Sequence, residues 1–127
     1  MEKDLEFEET EERGVREIIN EGKIAVQYCF GQTAIWIPRR YCQTLGAERI
    51  LGVVEKVFPV EELNRFGSYA IEQLRKGELA VECSNYNSYE IELPSLSKRR
   101  VFGKPPEIDS EERISKLVKL LNEELKK

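Results

Sequence analysis

The sequence predicts an α+β domain: a small, mostly antiparallel sheet of four to five strands with helices packed on it, followed by a C-terminal amphipathic helix. Two patterns predict this class. Short runs in which apolar and polar residues alternate are typical of half-buried strands, and apolar residues spaced three and four apart are typical of helices. With 127 residues, the chain is long enough to bury a core of its own in one domain.

An acidic arm and a helix are expected at the N-terminus. Residues 1–12 carry seven acidic side chains and one basic, and we expect this arm either to be disordered or to compete with nucleic acid for a basic face. The helix spans residues 11–21, with Thr10 as its cap and Gly22 as its end. Its apolar side chains share one stripe.

A β-hairpin is predicted next. Residues 23–30 alternate, and a two-residue turn at 31–32 brings the following run back antiparallel, with Tyr28 opposite Ile35. In this register Trp36 lies on the other, less apolar face of the sheet. A large aromatic side chain there needs either a helix that covers it or a role as a contact surface.

Three further segments are predicted after this hairpin. Residues 39–52 form a short helix interrupted at Gly46, and residues 53–58 are a β-rich run. Pro59 suits the first turn of a helix that ends at Gly77. Its predicted apolar stripe consists of Val60, Leu63, Phe66, Ala70 and Leu74.

A second hairpin is expected from residues 79–93. A loop over residues 84–88 pairs Cys83 with Tyr89 and keeps the apolar residues of both strands on one face, and it places Tyr86 at the tip. The same register puts three carboxylates on the solvent face as solubilising residues: Glu82, Glu90 and Glu92.

The C-terminal part combines a basic segment with an amphipathic helix. Residues 98–104 are a candidate edge strand, and residues 107–127 form a helix that must dock on its own domain or on a partner, because it is marginal alone. We therefore divide the chain into residues 1–12, 13–106 and 107–127, and expect a homo-oligomer. The candidate oligomerisation residues are Ile114, Leu117, Val118, Leu121 and Leu125.

The composition argues against catalysis. The chain has no histidine, no phosphate-binding glycine motif and no pair of clustered cysteines, so we expect neither an enzyme nor a metal or cofactor site. Cys29, Cys42 and Cys83 are expected to be free thiols in a reducing compartment. Without a signal peptide or membrane span, the expected location is the cytoplasm. The excess of Glu, Lys and Arg is typical of proteins from thermophiles.

Two basic groups beside aromatic residues point to nucleic acid. Single strands are bound by cations that contact phosphates and by aromatic rings on which bases stack. The sequence therefore predicts binding of single-stranded DNA or RNA, and the alternative is a protein-interaction or assembly protein, such as a regulatory subunit or a viral accessory protein. The candidate nucleic-acid-binding residues are Trp36, Arg39, Arg40, Tyr41, Tyr86, Lys98, Arg99, Arg100, Phe102 and Lys104.

In layout, the chain resembles the single-stranded DNA-binding proteins of thermophilic archaea (ThermoDBP and its relatives). The segments that carry the resemblance are KIAVQYCFGQTAIWIPRRY, LNRFGSYAIEQLRKGELAVE and SEERISKLVKLLNEELKK. The resemblance covers most of residues 13–127. It implies a cleft of aromatic and basic side chains for unpaired strands, and a terminal helix that assembles subunits.

Overall fold

The computed structural model describes residues 4–29, 32–66, 69–94 and 110–127. They form a five-stranded mixed sheet with helices against it, which confirms the predicted α+β class and the C-terminal helix. The strands, in the spatial order β1-β2-β3-β5-β4, are β1 (Phe7–Glu9), β2 (Ile24–Cys29), β3 (Gln32–Pro38), β4 (Val81–Cys83) and β5 (Ser88–Pro94). The helices are α1 (Val15–Asn20), α2 (Arg39–Leu45), α3 (Ala47–Val57), α4 (Val60–Phe66), α5 (Tyr69–Arg75) and α6 (Ser110–Leu125).

The first hairpin has the predicted faces but a different register. Val26 lies opposite Ile35, and Tyr28 lies opposite Thr33 rather than Ile35. The strands are joined by residues 30–31, which lie outside the described residues. A shift of two residues leaves every side chain on the same face, so alternation alone cannot distinguish the two registers.

The predicted register of the second hairpin is wrong by one residue. Cys83 pairs with Ser88, and residues 84–87 connect the strands through a 3₁₀ turn and Asn87, whose φ of 53° lies in the left-handed region that asparagine tolerates. Cys83 consequently lies on the face of Trp36, and Glu82 on the opposite face from the other two predicted solvent-face carboxylates. The prediction failed because both faces of this sheet bury apolar side chains.

The N-terminal residues belong to the sheet. β1 pairs in parallel with β2, with Phe7 opposite Ile24, and the side chain of Leu5 is buried in the core. Residues 5–9 therefore do not form a separate acidic arm. Carboxylates can lie in this edge strand because it is flanked by cations: Glu8 forms ion pairs with Arg13 and Lys23.

Two apolar clusters hold the sheet between helices. The main core lies on the face that carries Ile35 and Ile91, against α2, α3, α5 and α6. A second, smaller cluster lies on the opposite face beneath α1. Its buried members are Ile18, Ile19, Ala25, Ala34 and Trp36.

Two helices differ from the sequence prediction. α1 begins at Val15 without a side-chain cap, not after Thr10, although its apolar stripe is as predicted. α3 extends through residues 53–57, where a β-rich run was expected. Burial explains the difference, because Ile50, Val53, Val54 and Val57 recur at helical spacing on the core side, and packing outweighs the β propensity of valine.

The C-terminal helix is docked on its own domain. Ile114, Leu117, Val118 and Leu121 are buried in the main core, and α6 packs against α3. Leu125, the remaining predicted oligomerisation residue, is partly buried against the same core. The apolar stripe is thus covered within one chain, which corrects its assignment as an assembly surface: a second copy cannot reach side chains that this core already covers.

The described residues hold two free thiols and no metal cluster. Cys42 is buried and Cys83 is half-buried, whereas the side chain of Cys29 lies outside the described part. Burial raises the pKa of the Cys42 thiol to about 12, so this group stays protonated and unreactive. Within the described ranges, no three potential ligands group to hold a metal, and no helix has the length and apolarity to cross a bilayer.

Candidate functional site

Half of the predicted nucleic-acid-binding residues lie at one end of the sheet. Trp36 is near the end of β3, Arg39, Arg40 and Tyr41 begin α2, and Tyr86 lies in the turn that leads into β5. The other five lie outside the described residues: Lys98, Arg99, Arg100, Phe102 and Lys104.

Trp36 is not an exposed stacking residue. Only 7% of its surface is exposed, because Ile18 and Ile19 of α1 cover the indole. Its Nε1 is buried and has no hydrogen-bond partner in the described part of the chain. Of the two alternatives for Trp36, a covering helix or a contact surface, the structure shows the covering helix. Trp36 is therefore a packing residue.

Tyr86 packs against the same cluster. Its ring is half-buried against this cluster, and the 3₁₀ turn that carries it contacts α1. The left-handed Asn87 ends this turn and lets it fold over the end of the sheet. Tyr86 therefore supports the cover over Trp36 and keeps part of its ring at the surface.

The two arginines at the start of α2 have different environments. The Arg39 side chain forms an ion pair with Glu82, with 2.6 Å between Nη2 and Oε1. Its backbone N–H donates to the carbonyl oxygen of Asn87 at 3.0 Å. Arg39 therefore ties α2 to the second hairpin, and its guanidinium is engaged by a carboxylate.

Arg40 is exposed and stacks on its neighbour. Its guanidinium carbon lies 4.6 Å from the centroid of the Tyr41 ring, and Nη2 donates to the Tyr41 hydroxyl at 2.6 Å. A cation over an aromatic face is held in a defined orientation. Among the described residues, Arg40 forms no ion pair with a carboxylate, so its charge remains available to a ligand.

The absence of a side chain at Gly22 leaves space for the Arg40 guanidinium. The φ of Gly22 is +79°, a conformation that side chains rarely adopt, and a Cβ there would lie 3.4 Å from Nη2 of Arg40. The turn after α1 is therefore tight and small enough for the guanidinium to lie against it.

A cleft of about 840 Å³ opens beside Arg40 and Tyr41. Three parts of the fold enclose it: the segment before β1, the turn between α1 and β2, and the C-terminal end of α6. Besides Arg40 and Tyr41, its lining consists of Asp4, Leu5, Glu6, Glu21, Gly22, Lys23, Thr44, Asn122, Leu125 and Lys126. Its volume lies within the range typical of small-molecule sites.

A network of four charged residues borders this cleft. Arg13 and Lys23 each contact both Glu8 and Glu21, and Arg13 approaches the Glu21 carboxylate to 2.5 Å. Hydrogen bonds from Arg13 lower the pKa of Glu21 to about 2 and also lower the pKa of Glu8. These contacts join β1 to both ends of α1, and the lowered pKa values keep the two carboxylates charged at a more acidic pH than usual.

Sequence reasoning missed the residues that α6 and the N-terminal segment bring to this cleft. Lys126 is separated from Asp4 and Glu6 by nearly the whole chain, so no local pattern joins them. The parallel pairing of β1 is the feature that brings Asp4 and Glu6 to this cleft, and a three-residue strand gives almost no periodic signal.

Comparison with known proteins adds no relative. No family model matches the chain, and no curated protein or solved structure matches it either. The case for a function therefore rests on the site itself.

Proposed function

We propose that this protein binds single-stranded nucleic acid at a surface centred on Arg40 and Tyr41. The observation that carries the proposal is the stacked, exposed Arg40 guanidinium, which has no carboxylate partner in the described ranges and lies at a cleft. Such a group can contact a phosphate while a base packs beside it. The resemblance to the ThermoDBP family implies the same activity and stays a prediction.

The proposed surface is smaller than the one expected from sequence. Trp36 is covered, and Arg39 is engaged in an ion pair with Glu82. Residues 98–104 supply four further cations in seven positions, the densest positive charge in the sequence. We propose that they add phosphate contacts, because such contacts supply most of the affinity for a charged polymer.

The test is to measure the affinity for a labelled oligothymidine and for a labelled oligouridine of the same length by fluorescence anisotropy. Arg40→Ala should weaken binding roughly 5- to 100-fold, since it removes one phosphate contact and its stacking. The salt dependence should also become weaker: the negative slope of log K against log salt should decrease in magnitude by about 0.7, the value for one phosphate contact on a single strand. Arg40→Lys keeps the charge but loses the planar group. Its salt dependence should therefore be close to that of the parent protein, whereas its affinity should stay below that of the parent.

Two variants serve as comparisons. Tyr41→Leu preserves apolar packing on the core and removes the ring, so it should weaken binding without lowering the salt slope. Arg75→Ala removes the same charge from an exposed position in α5 and should leave both quantities unchanged. If Arg40→Ala behaves like Arg75→Ala, the proposed surface is wrong.

The alternative is a protein-interaction or assembly role. The acidic balance of the described residues favours it, because nucleic acid is repelled by negative charge. Removing residues 107–127 would not separate the two functions, since α6 is part of the main core and its loss would unfold the domain. Absence of binding to either oligonucleotide at low salt would instead favour the alternative, and sedimentation of the full chain would then test self-assembly.

A further inference from the structure

Most charged side chains of the Arg40 cleft neutralise one another. Asp4 lies 3.2 Å from the Lys126 ammonium, and Glu21 is paired with Lys23 at 3.5 Å and with Arg13. Of the charged residues that line the cleft, Arg40 and Glu6 form no ion pair within the described part of the chain. One cation and one carboxylate are therefore left to interact with a ligand.

The other polar groups of the cleft are already engaged. Asn122 uses both its amide oxygen and its amide nitrogen on the backbone of Leu5, and the Thr44 hydroxyl donates to the carbonyl oxygen of Arg40 at 2.8 Å. The Tyr41 hydroxyl accepts from Arg40. A ligand of this cleft consequently meets a short list of unused groups, led by the Glu6 carboxylate and the remaining N–H groups of Arg40.

The backbone of Glu6 and the side chain of Arg40 lie beside the same short turn. The carbonyl oxygen of Glu6 accepts from the N–H of Ile24 at 2.8 Å, so Glu6 lies beside the start of β2. The Arg40 guanidinium lies against Gly22, two residues earlier in the chain. Because Glu6 and Arg40 also line the same cleft, a ligand held there can place an anionic group toward Arg40 and hydrogen-bond donors toward Glu6.

We propose that the cleft binds a guanine nucleotide unit of a single strand, with Glu6 as the residue that selects the base. This inference rests on the proposed nucleic-acid binding and names its specificity. An ionised carboxylate is an acceptor only, with two oxygens. Guanine carries two adjacent N–H donors on its Watson–Crick edge, at N1 and N2, which match those oxygens. Arg40 then contacts the adjoining phosphate.

The other bases fit a carboxylate less well. Adenine and cytosine each place a ring nitrogen acceptor beside their amino group, and that acceptor faces the second carboxylate oxygen. Thymine and uracil have one N–H between two carbonyl oxygens. A base-edge pair with two good hydrogen bonds discriminates by about 1–3 kcal/mol, so guanine should bind roughly 5- to 100-fold more tightly than the other bases.

The experiment compares oligothymidines that carry isolated guanine, inosine, adenine or cytosine substitutions at the same positions, by fluorescence anisotropy. Guanine should bind most tightly, and inosine, which lacks the N2 amino group, should lie between guanine and adenine. Glu6→Gln should remove the preference for guanine, because an amide presents one acceptor and one donor, while binding of plain oligothymidine is retained or strengthened. Glu17→Gln, an exposed carboxylate change on α1, is the matched control and should keep the preference.

The outcomes separate this inference from the proposed function. If the protein binds oligothymidine but does not prefer guanine, or if Glu6→Gln keeps the preference, the base-selecting role of Glu6 is wrong and single-strand binding stands. If no oligonucleotide binds at low salt, both proposals are wrong.

Discussion

Asn122 forms two hydrogen bonds with the backbone of Leu5. Its Oδ1 accepts from the Leu5 N–H at 2.8 Å, and its Nδ2 donates to the Leu5 carbonyl oxygen at 2.9 Å. The two residues are 117 positions apart, so this pair joins the segment before β1 to the last helix. It also forms part of the wall of the Arg40 cleft.

Asn122→Ala should therefore lower the free energy of unfolding by about 1–3 kcal/mol. The variant leaves two backbone groups of Leu5 without partners, and an unpaired buried polar group costs about that much. Guanidinium denaturation followed by circular dichroism measures the loss. Asn64→Ala, an exposed asparagine in α4, is the control and should change stability by less than about 0.5 kcal/mol. Equal stabilities of the two variants would show that the Leu5 contact contributes nothing.

The positions of helices and strands were predicted better than the register in which the strands pair. The break at Gly46 and the helix end at Gly77 were predicted correctly, because both glycines adopt positive φ values that few other residues tolerate. The faces of β2 and β3 followed from alternation. Their register did not, since pairings that differ by two residues bury the same side chains.

The candidate site was predicted less well than the fold. Trp36 was correctly placed on the second face of the sheet, yet its exposure depends on α1, a six-residue helix whose docking no local pattern specifies. Arg40 and Tyr41 are adjacent in sequence, so their proximity needed no tertiary information. Glu6 and Lys126 reach the cleft only through long-range packing, which cannot be predicted from local patterns in a single sequence.

Shortening an apolar side chain of the α6 stripe should destabilise the fold rather than dissociate an oligomer. Leu117 is buried in the main core, so Leu117→Ala should lower the free energy of unfolding by about 2–5 kcal/mol through lost burial and a residual cavity. Sedimentation velocity should give the same sedimentation coefficient for variant and parent under native conditions. A smaller coefficient with unchanged stability would restore an assembly role for this stripe. Lys119→Ala, an exposed change in the same helix, should affect neither.

Ser88→Ala should leave stability unchanged or raise it. The Ser88 side chain is fully buried, and its Oγ has no hydrogen-bond partner among the described residues. Removing an unsatisfied buried hydroxyl relieves its desolvation cost at little loss of packing. Thermal and chemical denaturation measure the change. A loss above about 1 kcal/mol would mean that an ordered water satisfies this hydroxyl, as buried waters commonly do.

Two glycines of neighbouring helices should respond to alanine with opposite signs. Gly52 lies inside α3 with open space where a Cβ would be, so Gly52→Ala should raise the free energy of unfolding by up to about 1 kcal/mol. Gly46 separates α2 from α3 at φ 81° and ψ 164°, and Gly46→Ala should destabilise by about 1–3 kcal/mol. Denaturant midpoints measure both changes. Similar midpoints for the two variants would contradict the strain expected when alanine takes the positive φ of Gly46.

Acid should weaken the link between β1 and α1. Hydrogen bonds from Arg13 hold the pKa of Glu21 at about 2 and depress the pKa of Glu8. A carboxylate with a lowered pKa in the folded state stabilises the fold above its unfolded pKa of about 4.3, and this contribution is lost as the pH falls toward the folded value. Between pH 5 and about pH 2, the melting temperature of the parent should therefore fall more steeply than that of Arg13→Gln. Because Glu21 is exposed and Glu8 is only half-buried, 1 M salt should reduce the difference between the two curves. Arg16→Gln, an exposed change on α1, should follow the parent curve, and parallel curves for Arg13→Gln and the parent would show that the network does not stabilise the fold.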